Sequence, residues 1–414
     1  MLLLAVFAVV AIGCGSPPTA DSPATAGAAP DAAADPTVIL VSLDGFRWDY
    51  RSLAETPHLD ALAARGVHAE RLIPAFPSKT FPCHYSTVTG LYPGHHGIVS
   101  NNMRDPGWEG DFRLGTAELL ESRWWGGEPI WNTAQRQGLV SASFFWPGSD
   151  VLIDGGRPRY NYTYDGSIPF EDRVAQVLAW LDLPAGERPS FITLYFAEPN
   201  EAAHRFGPEA PEALAAAGRV DAMIGLLVDG LRQRGVLEST DIVVAADHGM
   251  AQMSEERVIV LDDYIELVPG ELFEAGALLQ IYPAEGREAD ILAALQGAHP
   301  SLEVWHRDEL PERFRLRGSP RVAPIVGVPD VGWSVETRAA VEGSRGRFLL
   351  GNHGGDPYHP DMGGIFIAAG PSFAEGARVP AFENVEIYNL LAHALGIEPA
   401  PNDGDLSRVP GILR

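Results

Sequence analysis

The chain predicts an α/β fold: a mainly parallel central sheet with helices on both faces. Two observations carry that expectation. Four segments, Thr37–Leu43, Phe191–Phe196, Asp241–Ala246 and Gly364–Ala369, are continuous apolar runs, or nearly so, rather than alternating ones. Strands covered on both faces read this way, and parallel sheets are covered on both faces. Between them lie helical patterns with recognisable ends, TPHLDALAARG from Thr56 to Gly66 and a longer one from about Pro211 to Gly235. Strands that alternate with such segments assemble through crossover connections into one sheet.

Along the chain, residues 1–14 (MLLLAVFAVVAIGC) form an apolar stretch too short to span a membrane comfortably and of signal-peptide length. Ala11-Ile12-Gly13-Cys14 looks like a bacterial lipobox, whose cysteine becomes a lipidated first residue; an ordinary secretory signal is the alternative. Either predicts export to the periplasm or cell envelope, with a membrane anchor if Cys14 is acylated. Residues 15–36, rich in Ala, Pro, Ser, Thr and Asp, read as a disordered tether. One folded domain is expected over 37–410. Around 278–336 the pattern changes to two short strands flanking Glu288–Gly297 and then a Pro/Arg-rich segment, read as a small α+β insertion.

Bulk properties bound the function. With 414 residues and 46% apolar content the chain can bury a large core. Its 30 basic and 55 acidic residues give a formal charge of −25, which repels nucleic acid, so no nucleic-acid-binding surface is expected. An anionic substrate would need that field reversed locally, as bound cations can do. The other cysteine, Cys83, has no partner if Cys14 is acylated, so no disulfide is expected. Nothing points to an obligate protein partner.

Polar residues cluster where the apolar strands end. Asp44 follows the first, Asn200 and His204 the second, and Asp247-His248 the third; His353 lies in the glycine-rich GNHGGDP. Ligands of open α/β sheets bind at the carboxyl ends of strands, and Asp and His are zinc ligands. Asn200 and His204, at i and i+4, share one face of a helical turn. In FPSKTFP, Pro82 suits the first turn of a helix and leaves Thr80 just outside it, beside unpaired N–H groups that favour an anion. A plain helix cap is the other reading of Thr80.

Thr80 in FPSKTFP, Gly90-Leu-Tyr-Pro-Gly-His-His-Gly-Ile98, Tyr195-Phe-Ala-Glu-Pro199 with His204, Ala246-Asp-His-Gly-Met250 and His353-Gly resemble the nucleotide pyrophosphatase/phosphodiesterase family of the alkaline phosphatase superfamily. The match runs in order from about Pro36 to about Pro399, and in size it is closest to the bacterial members. The resemblance implies an alkaline-phosphatase-like fold and two zinc ions. Asp44, Asp247, His248 and the Thr80 oxygen would hold one, and position 200, His204 and His353 the other. Thr80 would be the nucleophile that forms a covalent intermediate and releases nucleoside monophosphates. Asn101 and the Phe81 N–H would take charge on phosphate oxygens. Phe81 and Tyr164, from Tyr160-Asn-Tyr-Thr-Tyr164, would hold a nucleobase; ordinary packing is the alternative for both aromatics.

The chain departs from the pattern twice. Asn200 stands where the family has aspartate, which predicts a weaker second zinc and impaired turnover. Cys83 replaces an asparagine, which predicts a packing change. Two other activities compete with the diesterase. A phosphomonoesterase of the same superfamily would favour an extra cation, for which Lys79 or an arginine is available. A catalytically weakened nucleotide-binding protein would follow from Asn200.

Overall fold

The computed structural model describes residues 36–343 and 348–414. The expected signal, the lipobox Cys14 and the tether as far as residue 35 lie outside the described residues. Eight strands make the main sheet: β1 (Thr37–Leu43), β2 (Val67–Ala69), β3 (Ser141–Phe144), β4 (Tyr160–Tyr162), β5 (Phe191–Phe196), β6 (Thr240–Ala245), and, after the insertion, β11 (Phe366–Ala369) and β12 (Ala377–Val379). Their spatial order is β12-β2-β11-β6-β1-β5-β3-β4. The fold class is as expected, and one strand departs from the parallel majority. The apolar run 364–369 gives a strand that is antiparallel to both β6 and β2. Apolarity reports burial on both faces but carries no information on direction.

Successive residues of β1 enter opposite cores, because strand side chains alternate. Val38 and Leu40 pack with Val88, Ile130 and Leu390, from helices α2 (Thr80–Thr89), α3 (Ile130–Arg136) and α8 (Ile387–Leu395). Ile39, Val41 and Leu43 pack with Leu62, Val177 and Leu227, from α1 (Pro57–Arg65), α4 (Phe170–Leu181) and α6 (Pro211–Gln233). Each such fully buried side chain is worth about 1.5–3 kcal/mol, which is why an unbroken apolar strand holds the middle of the sheet. At the start of α1 the Thr56 hydroxyl has no partner, and the Asp221 carboxylate of α6 accepts the Leu59 N–H at 2.7 Å instead. No described helix is long and apolar enough to cross a membrane.

The insertion starts slightly earlier than expected. Its strands β7 (Leu272–Glu274), β8 (Leu279–Ile281), β9 (Leu302–His306) and β10 (Ile325–Pro329) form an antiparallel sheet in the order β7-β8-β10-β9. Helix α7 (Glu288–Leu295) seals it with Ile291 and Leu295 against Leu279, Leu302 and Ile325. A register shift in β7 sets Glu274 opposite Gln280.

Candidate active site

The central strands β6, β1 and β5 are neighbours and end together, so the residues after them converge. The Asp44 N–H donates to the Phe196 carbonyl at 3.0 Å and the Asn200 N–H to the Asp44 carbonyl at 3.1 Å. The Gly45 N–H donates to Asp247 Oδ1 at 3.1 Å. Asp44, Asp247 and His248 thereby form a buried cluster that could hold a metal ion, each offering an atom within 4.8 Å of the others. Helix α5 (Asn200–Phe206) carries both Asn200 and His204. His353 arrives from a distant segment because Gly351–Asn352 pairs antiparallel with Ala251–Gln252. A Cβ on residue 351 would collide with the Ala203 carbonyl, so only glycine lets α5 sit this close.

The three imidazoles are oriented alike. Nδ1 of His204 lies 2.8 Å from the Gly351 carbonyl, that of His353 2.8 Å from the Ser78 carbonyl, and that of His248 2.9 Å from the Gly249 carbonyl. A carbonyl only accepts, so each Nδ1 carries a hydrogen and Nε2 is the atom each ring can turn to a metal; that of His248 lies 3.0 Å from Asp247 Oδ2. The His353 ring lies 3.4 Å from that of His248 and 5.0 Å from that of His204, centroid to centroid. Burial lowers the pKa of His204, with smaller contributions from His248 and Lys79, and burial and His248 lower that of His353 further; both rings are neutral.

The oxygens need a cation. Asp44 Oδ1 and Asn200 Oδ1 are buried with no hydrogen-bond partner, and Asp247 Oδ2 has only His248 Nε2 at 3.0 Å and His84 Nδ1 at 3.2 Å beside it. Burial and the Asp247 charge push the Asp44 carboxyl well above the usual carboxylate range. Burial also acts against the Asp247 charge, but His248 and His84 hold its carboxyl well below that range. Buried oxygens beside imidazole nitrogens fit a metal ion such as zinc at Asp44, Asp247 and His248, and Asn200, His204 and His353 offer further donor atoms nearby.

Thr80 stands at this cluster, its Oγ1 3.4 Å from His248 Nε2. It is the first residue of α2 and Lys79 is the residue before the helix, which corrects the expectation that Thr80 lies outside; its hydroxyl caps nothing. A second correction concerns the Phe81 N–H, which donates to Asn101 Oδ1 at 2.9 Å. That bond occupies the N–H through the Asn101 side-chain carbonyl oxygen. The half-buried Phe81 ring leans on Phe112 and Trp125 at 6.0 and 6.1 Å. Tyr164 is 54% exposed, its ring 5.1 Å from Phe145 and 6.1 Å from Tyr195, which leaves a face open for stacking. Cys83 is free and buried, its Sγ 3.4 Å from the Ala75 carbonyl, in keeping with a packing role.

Sequence reasoning missed three residues here. The Tyr195 hydroxyl donates to Asp44 Oδ2 at 2.7 Å, yet within an apolar strand it reads as core. His84 is buried one turn after Thr80, with Nδ1 2.8 Å from the Thr80 carbonyl and Nε2 2.7 Å from Ser42 Oγ. Burial disfavours its charge, but Asp247 and Asp44 raise its pKa on balance. Its i+4 spacing from Thr80 was the available signal. The third is Glu274, from the insertion, which forms an ion pair with Lys79, so that one of the cations offered to a monoesterase is already matched.

The chain is similar to known proteins in sequence and in fold. The family model described as "Type I phosphodiesterase / nucleotide pyrophosphatase" matches residues 38–356. Human ectonucleotide pyrophosphatase/phosphodiesterase family member 5 is 36% identical over 377 residues, covering 91% of this chain and 78% of its own length. Human family member 1 is 37% identical over 391 residues, 92% of this chain, but the chain spans only 42% of that relative. The murine member 5 structure, an inactive threonine-to-alanine variant in complex with AMP, aligns with a TM-score of 0.87 at 36% identity, covering 92% of this chain and 100% of that one.

Proposed function

This chain belongs to the type I phosphodiesterase/nucleotide pyrophosphatase family, and on that footing we propose that it is an exported, two-zinc hydrolase of phosphodiester and pyrophosphate bonds. The observation that carries the reading is the buried Asp44, Asp247 and His248 cluster beside Thr80, with the unpartnered Asn200 Oδ1 and the alike-oriented rings of His204 and His353 next to it.

Asp44, Asp247 and His248 would hold one zinc and Asn200, His204 and His353 the other, and zinc so held would supply positive charge to activate the Thr80 hydroxyl and stabilise the leaving oxygen. Thr80 Oγ1 gives up its proton and attacks phosphorus in line, forming a phosphothreonine ester as the bond to the leaving oxygen breaks. Water then cleaves that ester, freeing a nucleoside monophosphate and returning a proton to Oγ1. Asn101, held by the Phe81 N–H, donates through its NH₂ to a non-bridging oxygen whose charge grows in the transition state. Phe81 and Tyr164 bind the nucleobase. AMP in the murine relative supports a nucleotide as the group retained.

Asn200 supplies a neutral amide oxygen, so the set with His204 and His353 binds its zinc more weakly than the set with Asp44, Asp247 and His248. Lipidation of Cys14 would fix the enzyme to the outside of a membrane, a location in keeping with relatives named ectonucleotide enzymes.

The test is hydrolysis of bis-p-nitrophenyl phosphate, p-nitrophenyl phosphate and nucleotide pyrophosphates by the full chain at measured zinc content. Diester and pyrophosphate cleavage that chelation abolishes and zinc restores is expected. Dominant monoester cleavage would replace the reading with a phosphomonoesterase. Nucleotide binding without turnover at full zinc would replace it with a weakened binding protein.

A further inference from the structure

We propose that Glu274, reaching in from the insertion, sets the charge preference of the phosphoryl site by capturing Lys79, so that monoanionic diesters are favoured over dianionic monoesters. The inference rests on the diesterase reading and adds the residue that enforces it.

Lys79 precedes Thr80, and its stem lies along the backbone beside His353, where a Cβ on Gly354 would stand 2.9 Å from Lys79 Cε. A free ammonium here would add one positive charge at the edge of the site. Instead Nζ is paired with Glu274 Oε1, and both side chains are almost fully buried. Glu274 cannot swing away easily. Its Oε2 accepts from Ser100 Oγ at 2.9 Å and from Gln280 Nε2 at 2.5 Å. The register shift in β7 holds Glu274 opposite Gln280, and Ser100 adjoins Asn101. The Lys79 charge is thus cancelled by a carboxylate that three donors hold. A monoester brings one more negative charge than a diester, so a released Lys79 would favour the monoester by that single charge.

The test is Glu274→Gln, which keeps the size and the acceptor oxygen. The ratio of monoester to diester kcat/KM should rise about tenfold, the scale of one unit charge acting over roughly 8 Å between protein-surface and bulk-water screening. The rise should appear mainly as a lower KM for p-nitrophenyl phosphate. Adding Lys79→Met should return the ratio to within about twofold of wild type. A ratio unmoved by Glu274→Gln, or raised equally in the double variant, overturns the proposal. If Glu274→Gln alone does not fold, the double variant, which removes both charges of the pair, decides: a ratio that stays put supports capture, and a large fall shows a Lys79 that already serves the phosphate. A binding arm separates this inference from the diesterase reading. In the Thr80→Ala background, Glu274→Gln should raise the preference for AMP over its phosphate methyl ester about tenfold. If the wild type cleaves neither ester, the diesterase reading fails, and this binding ratio still decides the charge capture.

Discussion

Asn200→Asp changes charge at the site without changing shape. The Asn200 Oδ1 is buried and unpartnered, and its N–H is fixed to the Asp44 carbonyl, so an aspartate would place a carboxylate oxygen on the same spot. Groups that only support a ligand are worth about 10–100-fold in metal affinity, so converting the ligand from amide to carboxylate should gain at least about 100-fold. That is about 2.7 kcal/mol at 1.36 kcal/mol per decade. Without metal the sign reverses. A third buried carboxylate would join Asp44, whose carboxyl burial and Asp247 already push up, and should cost about 1–3 kcal/mol. The variant should therefore melt lower than wild type when stripped and gain more from zinc. At about 2 °C per kcal/mol, its zinc-induced rise in Tm should exceed that of wild type by about 5 °C. Zinc per chain after passage over a chelating resin is the companion measurement, with the wild type expected to lose its second ion first. Two ions retained equally by both proteins, with equal thermal responses, would refute the reasoning.

Three further substitutions probe the site. Thr80→Ala should cut diester turnover by at least about 1,000-fold while AMP binding, measured by calorimetry, persists. Asn101→Ala should lower kcat about 100–1,000-fold with little change in KM, because the donor acts where charge grows in the transition state. Tyr195→Phe keeps the buried ring but removes the hydroxyl donated to Asp44 Oδ2, and should weaken zinc binding about 10–100-fold by competition titration.

Much of this arrangement can be read in the chain because strand ends are punctuated. An apolar run followed by Asp44, or by Asp247-His248, announces both a buried strand and the edge where ligands gather. Direction is not punctuated, so the antiparallel course of Phe366–Ala369 emerges only from its pairing with β6. The boundary at Thr80 was misplaced by one residue because its hydroxyl resembles a cap, whereas the structure uses it to face His248. Tyr195 and His84 were hidden by burial, since a polar side chain inside an apolar pattern looks like packing until its partner is located. Glu274 lies 195 positions from Lys79, in the sheet of the insertion, whereas Lys79 precedes a helix, and no local periodicity could join them.

The Nδ1 atoms of the three imidazoles are each steered by a main-chain carbonyl, those of Ser78, Gly249 and Gly351. No side-chain replacement can delete such an acceptor; it can only shift the strand or loop that carries it. Ring orientation is thus a property of the fold, inherited by any sequence that preserves the backbone path. The oxygen donors have no such protection, since a single codon change converts a carboxylate into an amide on an unmoved frame. Position 200 is accordingly a dial by which this scaffold can be tuned between tighter and looser metal binding while its architecture stays the same.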